Sequence, residues 1–206
     1  MANILKFFDE RHTYELNGEL VPSVSELSRF ASREVYGDIS QYTLDNAADR
    51  GSKVHKACEN LDRYGDCEVD DGIAPYIKAY LAFHEEHQPE WVAIEKPLAS
   101  EAMKFAGTLD RVGKIKGVDG LVIVDLKSSS VVQKVLALIQ LNGYKKLYEE
   151  NFGEEIKKLY ILHLQKDERY KLIEFPMDDT LFMACWHLHQ AFKKKPRKKK
   201  GEPENV

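Results

Sequence analysis

The stretch that most constrains this chain is GTLDRVGKIKGVDGLVIVDLKSSS, residues 107 to 130. Within it Leu121, Val122, Ile123 and Val124 form a continuous apolar run, the pattern of a buried strand. The run ends in Asp125-Leu126-Lys127. Buried charge is costly unless it is paired or bound to a metal, so a buried strand does not close on a carboxylate and an ammonium without cause. Side chains alternate along a strand, which points Asp125 and Lys127 the same way. The turn at Val118-Asp119-Gly120 folds the preceding strand back alongside and brings Asp110 near Asp125. Two carboxylates and a lysine converging at a strand end suit a hard divalent cation and an anionic substrate. Taken alone, Asp-x-Lys also reads as a plain surface ion pair.

Other segments shift that balance. Arg50-Gly51-Ser52-Lys53-Val54-His55 runs on to Glu59 in a helical stretch, and His55 and Glu59, four apart, share a helix face. Gln140-Leu141-Asn142-Gly143-Tyr144 lies in another helix, with Gln140 and Tyr144 on one face. The chain therefore reads G-x-x-V-H-x-x-x-E, G-x-x-D, D-x-K, Q-x-x-x-Y. Over residues 20 to 165 this order resembles the RecB-like branch of the PD-(D/E)xK nuclease superfamily, which includes the lambda-type phage exonucleases. The opening HTYELNGELVPSVSELSRF resembles the start of phage members.

The resemblance implies a metal-dependent DNA exonuclease serving phage DNA recombination, repair or processing, with Mg²⁺ or Mn²⁺ as cofactor. Asp110, Asp125, the backbone carbonyl of Leu126 and His55 are the implied metal ligands. Imidazole favours Mn²⁺ over Mg²⁺ as a partner. Lys127 is implied to orient or help deprotonate the attacking water, and Glu59 to support His55 or a metal-bound water. Glu95 is a further carboxylate for a metal water, although pairing with Lys96 or Lys104 explains it too. Gln140 and Tyr144 are implied to hold DNA; a packing face, with Tyr144 in the core, is the other reading. Arg50, Lys53, Ser128 and Ser129 are candidate phosphate contacts, as are Ser23, Ser25 and Ser130, several of which also serve as helix caps. DNA is the expected partner, with a single-strand annealing or other recombination protein as an associate. A catalytically dead DNA-binding or assembly protein on the same fold is the alternative; a small-molecule metal hydrolase lacks its His-rich ligand set.

Composition fits a soluble globular protein: 206 residues, 43% hydrophobic and 31% charged. The start, MANILKFFDERH, lacks the apolar core of a signal peptide, and no apolar run approaches a membrane span. Cys58, Cys67 and Cys185 are isolated, which predicts reduced thiols in the cytoplasm and no four-cysteine iron–sulfur cluster. Charge is uneven. Residues 193 to 200, KKKPRKKK, hold seven of the 30 basic residues, while residues 1 to 192 carry 23 basic and 32 acidic groups, net −9. An acidic body with a basic tail suits a polyanion-binding protein.

Periodicity predicts strands at 4–8 and 13–21, with an Asn17-Gly18 turn. Helices are predicted at 24–33 (capped by Ser23 and Glu26), 41–64, 73–87, 132–152 and 178–194. Strands follow at 91–98, 105–116, 121–127, 158–165 and 170–175. Gly51 inside the long helix suggests close approach of another element or of DNA. The reading is an α/β (α+β) chain with a restriction-endonuclease-like αβββαβ core, its central mixed sheet flanked by helices. One domain is expected over 1–192, with 193–206 a basic, disordered tail.

Overall fold

Three short strands open the chain: β1 (Leu5–Phe8), β2 (Thr13–Leu16) and β3 (Glu19–Val21). Asn17 and Gly18 take φ of 52° and 88°, the paired left-handed conformation that a two-residue hairpin needs, and they turn β2 into β3. The structure, a computed structural model, describes residues 4–8, 12–37 and 39–193. The predicted tail, apart from Lys193, lies outside the described residues.

Ser23 caps the next helix through a capping box. Its hydroxyl accepts from the Glu26 N–H, and the Glu26 carboxylate accepts from the Ser23 N–H. The helix expected over 24–33 divides at Ser28 into α1 (Val24–Leu27) and α2 (Arg29–Tyr36). Helices α3 (Gln41–Tyr64) and α4 (Ala74–His87) follow. The expected αβββαβ order then runs α4, β4 (Glu90–Ser100), β5 (Phe105–Lys114), β6 (Leu121–Lys127), α5 (Lys134–Phe152) and β7 (Ile156–Leu164). Strand β8 (Tyr170–Phe175) and helix α6 (Thr180–Phe192) complete the fold.

The main sheet has order β4-β5-β6-β7-β8. Only β6 and β7 are parallel, the pair that α5 connects; the other pairings are antiparallel. Helices cover both faces. Alternation along β6 sends Ile123 into one core with residues of α1, α5 and α6, and Val122, Val124 and Leu126 into the other with residues of α3 and α4. Double coverage explains why β6 reads as a continuous apolar run rather than an alternating one. Gly107 seats α5 on the sheet: a Cβ there would come 2.8 Å from Tyr144 Cε1 and 3.3 Å from Leu147. Gly51 differs from expectation, since a Cβ there would meet nothing within 4 Å. No element of the described protein requires a glycine at that position.

Candidate metal centre

Strands β5 and β6 pair antiparallel with Arg111 opposite Val124. The next rung sets Asp110 across from Asp125 at the C-terminal end of β6, where ligands gather in sheets of this kind. Asp110 Oδ2 accepts from the Leu126 N–H at 2.7 Å, which fixes that carboxylate against the strand.

Helix α3 delivers His55 to the same edge. Its Nε2 lies 3.0 Å from the Leu126 carbonyl, while Nδ1 faces Asp110 Oδ2 at 3.5 Å and Glu95 Oε1 at 3.6 Å. A carbonyl only accepts, so Nε2 carries the hydrogen. Once the second proton leaves, Nδ1 is a lone pair aimed at two carboxylates. Metal-binding histidines commonly donate their other N–H to a backbone carbonyl in this way. The Leu126 carbonyl, expected as a ligand, also accepts from His55 and orients its ring, with its second lone pair left over.

His55, Glu95 and Asp110 bring ligand atoms within 4.8 Å of one another, a set able to hold a metal ion. Asp125 stands outside this set. Lys127 Nζ lies 2.5 Å from Asp125 Oδ2, yet neither Asp125 oxygen receives a directed hydrogen bond. Glu95, weighed above as a salt-bridge partner of Lys96 or Lys104, instead meets His55 and Arg111. Its φ of 45° is strained for a strand glutamate.

The electrostatics follow from crowding. Burial pushes the Asp125 carboxyl up, Lys127 opposes this and Asp110 adds to it, giving a value of about 6. Burial likewise raises Asp110, opposed by His55 and reinforced by Glu95. For His55 burial works downward, but Asp110 and Glu95 outweigh it and lift the imidazole to about 9. Burial also works against the charge on Lys127, and Asp125 with Asp110 overcomes it, so the side chain is held as an ammonium. An ammonium at this position suits the expected orienting of a water and the stabilising of developing negative charge.

Two clefts open near the end of β6, and Lys127 lines the first of them. One, about 270 Å³, is lined by Ser25, Ser28, Tyr36, Lys127 and Gln140. The other, about 460 Å³, is lined by Arg50, Tyr76, Ser130, His163 and Lys166. Ser129 borders both. Arg50 Nη2 reaches the Ser128 carbonyl at 3.4 Å, and His163 Nε2 holds the Ser129 carbonyl at 2.7 Å.

The expected contacts of Tyr144 and Glu59 are corrected. Tyr144 is buried in the core beneath Gly107, where its hydroxyl accepts from Gln140 Nε2 at 2.8 Å, so it offers no face for stacking on a base. Ser128 is largely buried but lines the second cleft, where its carbonyl meets Arg50. Lys53 is exposed and forms only a surface pair with Asp49 four residues before it. Glu59 does not meet His55; Lys56 and Arg63 hold it at 2.9 and 2.8 Å. Burial raises Glu59 only in part, and these two cations bring its carboxyl below the usual range.

Two residues escaped the sequence reading. Arg111 is fully buried on β5, with Nε 2.5 Å from Asp62 Oδ2 and Nη1 3.1 Å from Glu95 Oε1. Asp62 also accepts from the Tyr80 hydroxyl at 2.6 Å, and His84 Nε2 lies 3.0 Å from its other oxygen. The signal was an arginine on a largely apolar strand, with Leu109 and Gly113 on its own face, and an acid seven residues after His55 on the same helix face.

No family model matches the chain, and no curated protein matches it in sequence. Among solved structures, a presumed exonuclease from Eubacterium rectale is similar over 84% of this chain and 78% of that one, with 16% identity and a TM-score of 0.48. Overlap of that degree assigns neither activity nor substrate.

Proposed function

We propose that this chain is a divalent-metal-dependent deoxyribonuclease of the exonuclease type. In this reading residues 1–192 form the nuclease domain and the basic stretch from 193 is an arm for DNA phosphates. What carries the reading is the convergence of His55, Glu95 and Asp110 within 4.8 Å, with the Asp125–Lys127 pair nearby and Lys127 lining a cleft.

The donor chemistry fits Mg²⁺ or Mn²⁺. Glu95 and Asp110 offer hard oxygens and His55 offers a nitrogen that favours Mn²⁺. Asp125, whose buried oxygens lack directed donors, adds further acceptor capacity. Bound there, a divalent cation supplies a nucleophilic water and neutralises phosphate charge. His55 must lose its Nδ1 proton before it can coordinate, and the Leu126 carbonyl keeps the ring in place while it does so. Lys127, an ammonium held by Asp125, donates to the attacking water or to a phosphate oxygen and stabilises the charge that develops on phosphorus. In this reading Gln140, which lines one cleft, and Arg50, which lines the other, with Ser129 between them, would contact a strand laid across the end of β6. A role in phage DNA recombination or repair, with an annealing protein as partner, is the setting in which such an activity would serve.

The test is incubation of the purified chain with linear and closed circular DNA in Mg²⁺, Mn²⁺ or chelator. Metal-dependent loss of linear DNA with the circle spared is the expected result. Bound DNA left uncut in both metals would refute the enzymatic reading.

A further inference from the structure

Glu95 sits where a strand residue should relax and does not. Ladder pairing holds Ile94 to Arg111 and Lys96 to Leu109, and Glu95 between them takes the left-handed φ of 45°. A side chain gains nothing from that conformation by itself, so the surroundings must impose it. Helix α3 supplies two supports. Asp62 binds Arg111 Nε at 2.5 Å, and the same guanidinium donates through Nη1 to Glu95 at 3.1 Å and to the Asp110 carbonyl at 2.7 Å. One turn away, Glu59 binds Arg63, and Arg63 Nη2 donates to the Ile94 carbonyl at 2.7 Å, immediately before the strained residue.

We propose that Arg111, anchored by Asp62, is a positioning residue that holds Glu95 in its strained conformation with its carboxylate in the metal site, and that Arg63, anchored by Glu59, braces the same strand from outside. Only a planar fork can do what Arg111 does. It is fully buried, and its donors reach an acid on the helix, an acid in the site and the backbone of Asp110 from one rigid plane. A lysine in its place keeps the charge but can serve only one of these partners well. The brace also assigns Glu59 a role: it reaches the site through Arg63 and the backbone of β4 rather than through His55.

The inference rests on the metal-site part of the proposed function, so its test reads metal binding without DNA. Mn²⁺ is titrated into the protein by calorimetry or by the electron-spin signal of the free ion, with thermal denaturation as control. Glu95→Gln should weaken Mn²⁺ binding by about ten-fold or more. Arg111→Lys, which conserves charge, should weaken it by about ten- to a hundred-fold, the usual effect of removing a partner that orients a ligand. Arg63→Met, a change at a more exposed position, should cost a few-fold. The decisive reading is the double variant: Arg111→Lys in the Glu95→Gln background should lose little more than Glu95→Gln alone, because Arg111 acts through Glu95. A purely structural arginine would instead add its full loss in both backgrounds, which would overturn the proposal. Unchanged Mn²⁺ affinity in Glu95→Gln would overturn it as well, even if Arg111→Lys failed to fold. A protein that showed this binding pattern yet cut no DNA would refute the nuclease reading and leave the brace standing.

Discussion

Two buried aspartates, Asp62 and Asp125, show opposite responses to the same burial. The Asp62 side chain is fully buried and that of Asp125 is 1% exposed. Burial acts upward on both carboxyls. Asp62 nevertheless ends below the ordinary value, because His84, Arg111 and Tyr80 surround it with donors and positive charge. Asp125 ends at about 6, because its one close cation, Lys127, is offset by Asp110 across the strand pair. The first cluster sets one acid against Arg111, Tyr80 and His84, although Asp62 Oδ1, His84 Nε2 and Arg111 Nη2 find no hydrogen bond of good geometry. The second crowds Asp110, Asp125 and Glu95 around His55 and Lys127, with Arg111 shared between Glu95 and Asp62. A buried carboxyl raised by a like charge beside a lysine is the kind of perturbed group that marks a candidate functional site.

The largest effect that would sharpen this contrast lies in activity. Asp110→Ala or Asp125→Asn should reduce metal-dependent DNA hydrolysis by at least about 10⁴-fold, the scale of losing several kcal/mol of metal-assisted catalysis. Thermal stability of either variant should hold or rise, since a repelled carboxylate is removed. Hydrolysis above about 1% of wild type would break the assignment of the site. Lys127→Ala should lower turnover by about 10² to 10⁴ while DNA binding persists, because the ammonium acts on developing charge. Tighter DNA binding with normal turnover would show the lysine to be only the partner of Asp125.

Asp62→Asn should do the reverse of Asp125→Asn. Breaking a buried pair from one side costs about 3 kcal/mol, measurable by urea denaturation. A neutral result would mean that the Asp62 cluster is no more satisfied than the site. Acidity separates the two again. Asp125 is raised in the folded protein, so its protonation favours folding as pH falls through about 6 toward its unfolded value. Asp62 is lowered, so its contribution is present above its unfolded value and is lost as pH falls below it. Removing Asp125 as Asn should therefore make stability fall more steeply between pH 7 and pH 4 on acidification than in wild type. The His55 proton bears on metal binding in the same sense. With an imidazole near 9, Mn²⁺ affinity should rise with pH up to about that value, by at most about ten-fold per unit for one released proton. A flat profile from pH 6 to 8.5 would remove His55 from the ligand set.

The smallest effect belongs to the acidic body and its basic end. Deleting residues 193–206 removes seven positive charges and two negative ones. If they ride on DNA phosphates, the slope of log affinity on log salt should flatten by about 0.9 per lost contact. Turnover at saturating DNA should stay as it was. An unchanged slope would confine DNA binding to the clefts near the end of β6.

Much of this molecule is legible in its residues taken in order. The Leu121–Lys127 and Tyr170–Phe175 strands and the Gln41–Tyr64 helix lie where periodicity puts them, because burial on a sheet or a helix face imposes a period on the sequence itself. Ser23 with Glu26, and Asn17 with Gly18, mark their cap and turn because those interactions are local. Asp110, Asp125 and Lys127 could be placed at one edge for the same reason, since the β5–β6 turn and strand alternation are short-range rules, whereas His55 joined them only through the resemblance to a nuclease motif. Contacts between distant segments are a different matter. Nothing near Glu95 in sequence says that it will face His55 rather than Lys96. Glu59 and Arg63 are a local pair four apart on α3, but nothing near them says that Arg63 will also reach the Ile94 carbonyl at the edge of β4. Tyr144 is buried because Gly107, 37 positions earlier, leaves room for its ring. Arg111 acquires its role only when α3 packs over β4 and β5 and sets Asp62 on one side of the guanidinium and Glu95 on the other. Helix period, strand alternation and turn chemistry are written along the chain. Which charge meets which is decided by packing, because the energy of a buried ion depends on partners brought from far away in sequence.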